Sequence, residues 1–329
     1  MKGVRALVAR RRGDTVSLAL ADLDPGELGE GDVVVDIAWS GVNYKDMLAV
    51  RADGNVARLD LLVPGIDLAG TVAESGSQRF NQGDRVLAHG YGLGVSHHGG
   101  FATRACVPAS WLVRLPRQLG PREAMILGTP GFTAALCLAR LESVGIGPGS
   151  GPVLVTGATG GVGSLAVAIL ARRGFDVVAS TGKAGSADWL RGLGASAVLD
   201  RRSLEGPTRP LGAQRFAAAM DCVGGSTLAH VLSLIAHGGA VAACGVVGGS
   251  ALSTTVFPFI LRGVALLGVD STATPIEQRA AVWDRLAADL LPADVEVLVD
   301  HEVGLDGLAG AFDQLARGAV QGRVLVRPA

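Results

Sequence analysis

At 329 residues the chain is longer than a single core usually fills, so two domains are expected. Its 29 Lys and Arg stand against 30 Asp and Glu, a balance that argues against a nucleic-acid surface or a polybasic membrane patch but leaves room for a local pocket binding one phosphate-bearing ligand. Apolar residues make up 49% and glycine accounts for 48 positions, which suits an α/β protein with close helix–sheet packing and many tight turns.

Residues 1–12 are basic and hold no apolar core long enough for a signal peptide. No uncharged apolar run reaches the length of a membrane span, and the chain reads as cytoplasmic with no membrane partner. Strand-like runs at 31–39, 69–73 and 84–88 are separated by turn signals such as Asp24-Pro25-Gly26 and Asn81-Gln82-Gly83-Asp84. They predict a partly closed antiparallel β domain over 1–122, with a helix after Asn43. Residues 121–144 read as a helix interrupted at Gly128-Thr129-Pro130-Gly131.

The stretch Val153-Leu154-Val155-Thr156-Gly157-Ala158-Thr159-Gly160-Gly161-Val162-Gly163-Ser164-Leu165 passes from a buried strand through a glycine turn into a helix over 164–173. Ala158, Gly160 and Gly163 follow the dinucleotide spacing, with Ala in the first slot. Such glycines let the backbone approach a pyrophosphate at a helix N-terminus. Strands at 175–180, 197–199, 214–223, 239–247 and 264–269 alternate with helices at 186–193 and 228–236. This is the pattern of a Rossmann doubly wound parallel sheet over 123–270, with ligand beyond the carboxyl ends of its strands. A tail over 271–329, with a helix at 275–290, a strand at 295–299, a helix at 305–317 and a strand at 323–327, is expected to return to the first domain. Cys106, Cys137, Cys222 and Cys244 lie far apart without metal-ligand spacing and read as free buried thiols.

The second strand speaks to the cofactor. NAD-specific folds put an acidic residue about 20 positions past the glycine turn, at the end of that strand. Here the end reads Ser180-Thr181-Gly182-Lys183, and Asp176 stands at the start. Thr181 and Lys183 could donate to a 2′-phosphate, and Arg201 could close the other side, so NADPH is the expected cofactor.

The order of motifs resembles the medium-chain dehydrogenase/reductase superfamily over essentially the whole chain, and within it the zinc-free quinone oxidoreductase branch, nearest the acryloyl-CoA reductase subfamily. The resemblance rests on Gly41-Val42-Asn43-Tyr44-Lys45-Asp46, Pro64-Gly65-Ile66-Asp67-Leu68-Ala69-Gly70, His97-His98-Gly99-Gly100-Phe101 and Gly128-Thr129-Pro130-Gly131-Phe132-Thr133-Ala134. To these are added the glycine fingerprint, Pro258-Phe259-Ile260-Leu261-Arg262, Gly268-Val269-Asp270-Ser271 and Gln321-Gly322-Arg323. It implies a GroES-like catalytic domain, a homodimer, and cofactor contacts at Thr133, Gly157, Gly160, Gly161, Val162, Gly163, Ser164, Leu165, Thr181, Gly182, Lys183, Arg201, Gly245, Val246 and Ser271. Where zinc alcohol dehydrogenases carry a Cys and a His-Glu pair, this chain has Asn43 and Ile66-Asp67. The remaining candidates, Cys106, His89, His97 and His98, are scattered, so no metal is expected.

The implied reaction is NADPH-dependent reduction of acryloyl-CoA to propionyl-CoA. Hydride goes to the β carbon, charge develops on the thioester oxygen, and the α carbon takes a proton. Tyr44 is a candidate donor or a core tyrosine. Asp67, in an apolar run, is either a functional carboxylate or a structural acceptor, leaning to an orienting role for Lys45 or Arg323. Arg323 could hold a phosphate, a carbonyl oxygen or Asp67, and Asn43 completes the set. His97 could cover the cleft or sit solvated in its loop. The alternatives are a quinone or enone reductase, and a non-enzymatic protein that senses NADPH or binds RNA. The balanced charge weighs against RNA.

Overall fold

The basic N-terminal stretch folds as a strand, which the sequence pattern does not announce. In the computed structural model, which describes residues 3–206 and 209–329 and so leaves Met1 and Lys2 outside, β1 (Val4–Arg12) pairs antiparallel with β2 (Thr15–Leu23). Gly13 takes a φ of 57° at the first position of the connecting turn, as a tight hairpin demands. The arginines at 10–12 mask the buried alternation of Val4, Ala6 and Val8.

The long strand β3 (Val33–Val42) leads into α1 (Tyr44–Ala49). Then follow β4 (Leu61–Leu62), β5 (Asp67–Ser75), β6 (Arg85–His89), β7 (Arg104–Val107), β8 (Leu112–Arg114) and the helix α2 (Pro121–Glu142). β4 pairs with β1, while β3 pairs with β5 and β7, and β5 with β6. α2 is the one described helix long and apolar enough to cross a membrane, and 83% of its apolar window is buried inside the protein.

Past α2 come β9 (Val153–Val155), α3 (Gly161–Arg172), β10 (Val177–Thr181), α4 (Ala187–Gly192), β11 (Ala197–Asp200) and β12 (Phe216–Asp221). The run continues with α5 (Gly225–Leu234), β13 (Ile235–Ala243), α6 (Phe257–Arg262) and β14 (Ala265–Gly268). All six strands are parallel, in the order β11-β10-β9-β12-β13-β14. This is the doubly wound arrangement, in which the order reverses between β9 and β12 and leaves a crevice at their carboxyl ends. Leu154, Ala219, Val231, Leu232 and Val241 pack its core.

The chain closes with α7 (Ile276–Leu286), β15 (Val299–Val303), α8 (Leu308–Ala316) and β16 (Arg323–Val326). β1, β2 and β4 form a sheet of three strands; β16 lies between β15 and β3, so the tail completes a second, seven-stranded sheet with β5, β6, β7 and β8. Glu296–Leu298 form a short 3-10 turn and the strand follows them, later than the 295–299 read from the sequence. Two compact units result. One comprises Met1–Thr129, Thr272–Ala287 and Leu298–Ala329; the other comprises Pro130–Ser271 and Ala288–Val297.

Candidate functional site

In the first unit the end of β3, the start of β5 and the break in α2 meet at one buried cluster. Gly128 has φ 51° and ψ −160° inside α2, a backbone region essentially reserved for glycine. Two carbonyls lose their helical partners there. Met125 O would ordinarily face the Thr129 amide, and Ile126 O faces Pro130, which has no N–H. Arg323 supplies both: its Nη2 donates to Met125 O at 3.1 Å and its Nε to Ile126 O at 3.1 Å. Its Nη1 donates to Val42 O and Asn43 Oδ1, each at 3.0 Å. A Cβ at Gly41 would overlap the guanidinium, so glycine is required beside it.

Asp67 sits at the centre. Its carboxylate accepts from Asn43 Nδ2 at 2.8 Å, from the Thr129 amide at 3.2 Å and from the Thr129 hydroxyl, and it pairs with Arg323 Nη2 at 3.4 Å. Asp67 is 0% and Arg323 2% exposed. Neither therefore lines an open site, and Arg323, with its guanidinium spent on Asp67, Asn43 and three backbone carbonyls, is not placed to hold a phosphate. Lys45 is not Asp67's partner, because its Nζ donates to Thr272 Oγ1 at 3.1 Å. Burial lowers the Arg323 pKa, offset by the Asp67 and Asp46 carboxylates.

Two members of the cluster escaped the sequence reading, Thr129 and Asp46. Asp46 Oδ2 accepts from the Asn43 amide and Oδ1 from the Ile66 amide, both at 2.8 Å. It thus caps α1 and pins the strand entering β5. Burial first, then repulsion from Asp67, pushes its pKa up to about 7. Beside these buried groups Tyr44 stands in solvent, 41% exposed at the first position of α1.

The histidines are committed to structure. Trp283 Nε1 donates to His89 Nε2 at 2.8 Å, and burial beside Arg279 drives the His89 pKa well down. The Val63 amide donates to His98 Nδ1 at 3.1 Å. His97 neither covers a cleft nor floats in water: its ring nitrogens meet Glu30 O at 2.6 Å and His98 O at 2.8 Å, and its edge meets Trp111. The donor set does not fit a catalytic zinc. Asn43 offers a neutral carboxamide, Ile66 no donor, and Asp67 a carboxylate already held by three residues.

In the second unit the glycine turn joins β9 to α3. A Cβ at Gly163 would overlap Gly157 O, and Gly157 itself has φ 61°, so the helix start presses directly on the turn. The amides of Gly161, Val162 and Gly163 open the helix and carry its positive end, where an anion is favoured. Ser164 and Leu165 are corrections: the Ser164 amide donates to Gly160 O at 2.9 Å, and the Leu165 side chain is fully buried in the core. The Ala158 amide bonds Ser180 O at 3.0 Å, fixing the turn to β10.

At the end of β10, Thr181 Oγ1 bonds Thr159 Oγ1 at 3.1 Å and accepts from the Lys183 amide at 3.1 Å. Arg201 lies over Gly182 so closely that a Cβ there would come within 2.7 Å of its Nε. Its Nε also lies 3.5 Å from a Glu205 carboxylate oxygen. Asp200, an acid that lies on a neighbouring strand and not on β10, stands opposite Thr181, and Arg202 engages it, lowering its pKa to about 2. Asp221, at the end of β12, accepts from Thr156 Oγ1 at 2.7 Å and from the Gly224 amide at 2.7 Å. It ties the first glycine turn to the loop after β12. Gly245 and exposed Val246 follow β13, while Thr133 is buried in α2 and Ser271 lies past β14. The residues present fit a dinucleotide: the glycines leave room for its pyrophosphate at the start of α3, the amides of Gly161, Val162 and Gly163 would face it there, and Lys183 and Arg201 follow the ends of β10 and β11.

Known proteins resemble the chain along nearly its whole length. The alcohol dehydrogenase GroES-like domain family matches residues 29–117 and the zinc-binding dehydrogenase family residues 161–288. Over 324 residues the chain is 48% identical to the putative quinone oxidoreductase YhfP of Bacillus subtilis, covering 98% of each. It is 46% identical to the probable acrylyl-CoA reductase AcuI of Escherichia coli, covering 98% of this chain and 99% of the relative. The crystal structure of E. coli YHDH with bound NADPH superposes with a TM-score of 0.95 at 46% identity, covering 98% and 99% of the two chains. That of B. subtilis yhfP with NAD bound superposes at 0.97 and 48% identity, covering all of both. The chain is an oxidoreductase of the medium-chain dehydrogenase/reductase superfamily, in the branch of the quinone oxidoreductases and acryloyl-CoA reductases.

Proposed function

We propose that the protein uses NADPH to reduce the C=C bond of acryloyl-CoA to propionyl-CoA without a metal. The observation that carries this reading is the 46% identity, along nearly the whole of both chains, to a relative named for acrylyl-CoA reduction. NADPH, when bound, supplies the hydride. The chain's own residues position, polarise and protonate. Tyr44 offers a hydroxyl to the developing oxyanion or the α carbon. Asn43, Asp67 and Arg323 are positioning residues that fix the turn carrying it. Gly161, Val162 and Gly163 would hold the pyrophosphate, with Thr181, Lys183 and Arg201 at the 2′-phosphate. The structure of the E. coli relative with NADPH supports that choice. The donor chemistry around Asn43, Ile66 and Asp67 supports metal independence.

Quinone or enone reduction is the second reading, favoured by the name of the B. subtilis relative. We also propose a cytoplasmic homodimer with no membrane or nucleic-acid partner. Four free thiols suit a reducing compartment. The dimer is supported by the apolar surface of Val256, Phe257, Ile260 and Leu261, 46–71% exposed, beside the edge strand β14.

The test follows NADPH oxidation with acryloyl-CoA, with a quinone and with no acceptor, before and after chelation. Turnover of the thioester, undiminished by the chelator, is expected. Turnover of quinones alone would favour the second reading, and stoichiometric zinc whose removal stops turnover would end metal independence. Tyr44→Phe is expected to lower kcat about 100-fold, the scale of a lost general acid; unchanged kcat and KM would remove Tyr44 from the chemistry.

A further inference from the structure

Three of the four cysteines, distant in sequence, meet in the second unit. Asp221 of β12 stands opposite Ala243 of β13, and the next residue after each is a cysteine. Cys222 Sγ and Cys244 Sγ are 3.9 Å apart, and both residues are half-buried rather than sealed in the core. Cys137 of α2, fully buried, adjoins Cys244. As a thiol Cys244 donates to Asp221 O at 3.5 Å. Once ionised it accepts from Cys137 and Cys222, and these hydrogen bonds lower its pKa well below the ordinary thiol value.

The pair also stands at the root of two packed glycine loops. A Cβ at Gly245 would overlap the Cys222 carbonyl, one at Gly224 would overlap the carbonyls of Gly245 and Gly249, and the Gly248 amide donates to Val223 O at 2.7 Å. No slack separates the loop after β12 from the loop after β13.

We propose that Cys222 and Cys244 form a reversible disulfide in response to peroxides, and that closing it weakens nucleotide binding at the loop carrying Gly245 and Val246. The second half rests on the cofactor reading given under Proposed function. The Cys244 thiolate attacks one oxygen of hydrogen peroxide, the O–O bond breaks, hydroxide leaves, and Cys244 becomes a sulfenic acid. Cys222 gives up its proton, attacks the sulfenic sulfur and expels its oxygen as water. Overall, two thiols and one peroxide become one disulfide and two waters. The sulfurs close from 3.9 Å to about 2.0 Å, and the glycine contacts pass the displacement to both loops.

The experiment treats the reduced protein with hydrogen peroxide, counts remaining thiols, maps linked peptides by mass spectrometry, and measures the NADPH Kd by fluorescence. Loss of two thiols, a Cys222–Cys244 peptide and a Kd raised about tenfold are expected, all reversed by dithiothreitol. Cys222→Ser should keep wild-type NADPH affinity when reduced and yield no linked peptide between these two positions after peroxide; Cys244→Ser, which lacks the attacking thiolate, gives the same test if that variant fails to fold. Four surviving thiols, or a different pairing, overturns the disulfide. A Cys222–Cys244 link with unchanged Kd overturns its coupling to nucleotide. If reduced protein binds no NADPH, the cofactor reading fails, while the peptide map still judges the disulfide.

Discussion

Asp46 gives the first unit a pH signature. Its folded-state pKa of about 7 lies above the ordinary value of 3.8, so the native chain holds this proton more tightly than the unfolded chain. Its contribution to stability is therefore present in acid and is lost as pH rises through about 7. Denaturant midpoints between about pH 4 and pH 8 should fall more steeply with rising pH in the wild type than in Asp46→Asn, which has nothing to titrate there. A wild-type profile parallel to the variant's would refute the shift. Asp67 and Arg323 respond differently. Arg323→Met leaves a buried carboxylate without its cation and should cost about 3–5 kcal/mol in urea or guanidinium unfolding. At the nucleotide end, Lys183→Ala should reduce the NADPH-over-NADH preference in kcat/KM about tenfold, the worth of one charge-assisted hydrogen bond; an unchanged ratio would remove Lys183 from the site. The sequence exposed Asn43, Asp67 and Arg323 because each departs in residue type from a zinc ligand or stands as a charge in an apolar setting. Thr129 and Asp46 lie in the same motifs, but their roles exist only once the α2 break and the α1 cap face Asp67. The sequence leaned to Lys45 as well as Arg323 for the carboxylate, but Lys45 points its amine to Thr272 instead.

At the scale of elements, the break in α2 is the device that lets Arg323 and Asp67 reach a helix backbone. Gly128→Ala forces a side chain into a conformation that costs of order 1–3 kcal/mol. We expect a lower melting temperature, together with a weakened Arg323 cluster visible as faster amide exchange at Thr129. Unaltered exchange would mean that the cluster does not depend on the break. The parallel strands were readable because both faces are covered and the apolar runs are nearly continuous. The hairpin β1–β2 was not readable, since its outward arginines crowd the pattern. The start of β13 was missed for another reason: α5 ends at Leu234 and the strand begins at Ile235 without a turn signal between them. Element type thus followed from hydrophobic pattern, whereas element boundaries depended on partners that only the folded chain supplies.

At the scale of the molecule, the exposed apolar side chains of α6 are the basis of the homodimer proposal. Light scattering should give twice the 33.4 kDa chain mass, and Ile260→Glu should shift it to the single-chain value; a wild type already at that value would end the homodimer proposal. The Rossmann sheet is written in one continuous stretch and could be read from alternation alone. The other sheet is written in pieces, and its closure by β16 was expected only from the order of the elements. That division has a consequence for the growing polypeptide. All six strands of the parallel sheet have been made by Gly268, whereas β3 waits for β16, and Asp67 for Arg323, through more than half the length of synthesis. The usual rule that the N-terminal domain folds first is inverted: the segment made second is the first that can finish. On a ribosome stalled beyond residue 300, protease should spare the nucleotide-binding segment while still cutting the segment translated before it.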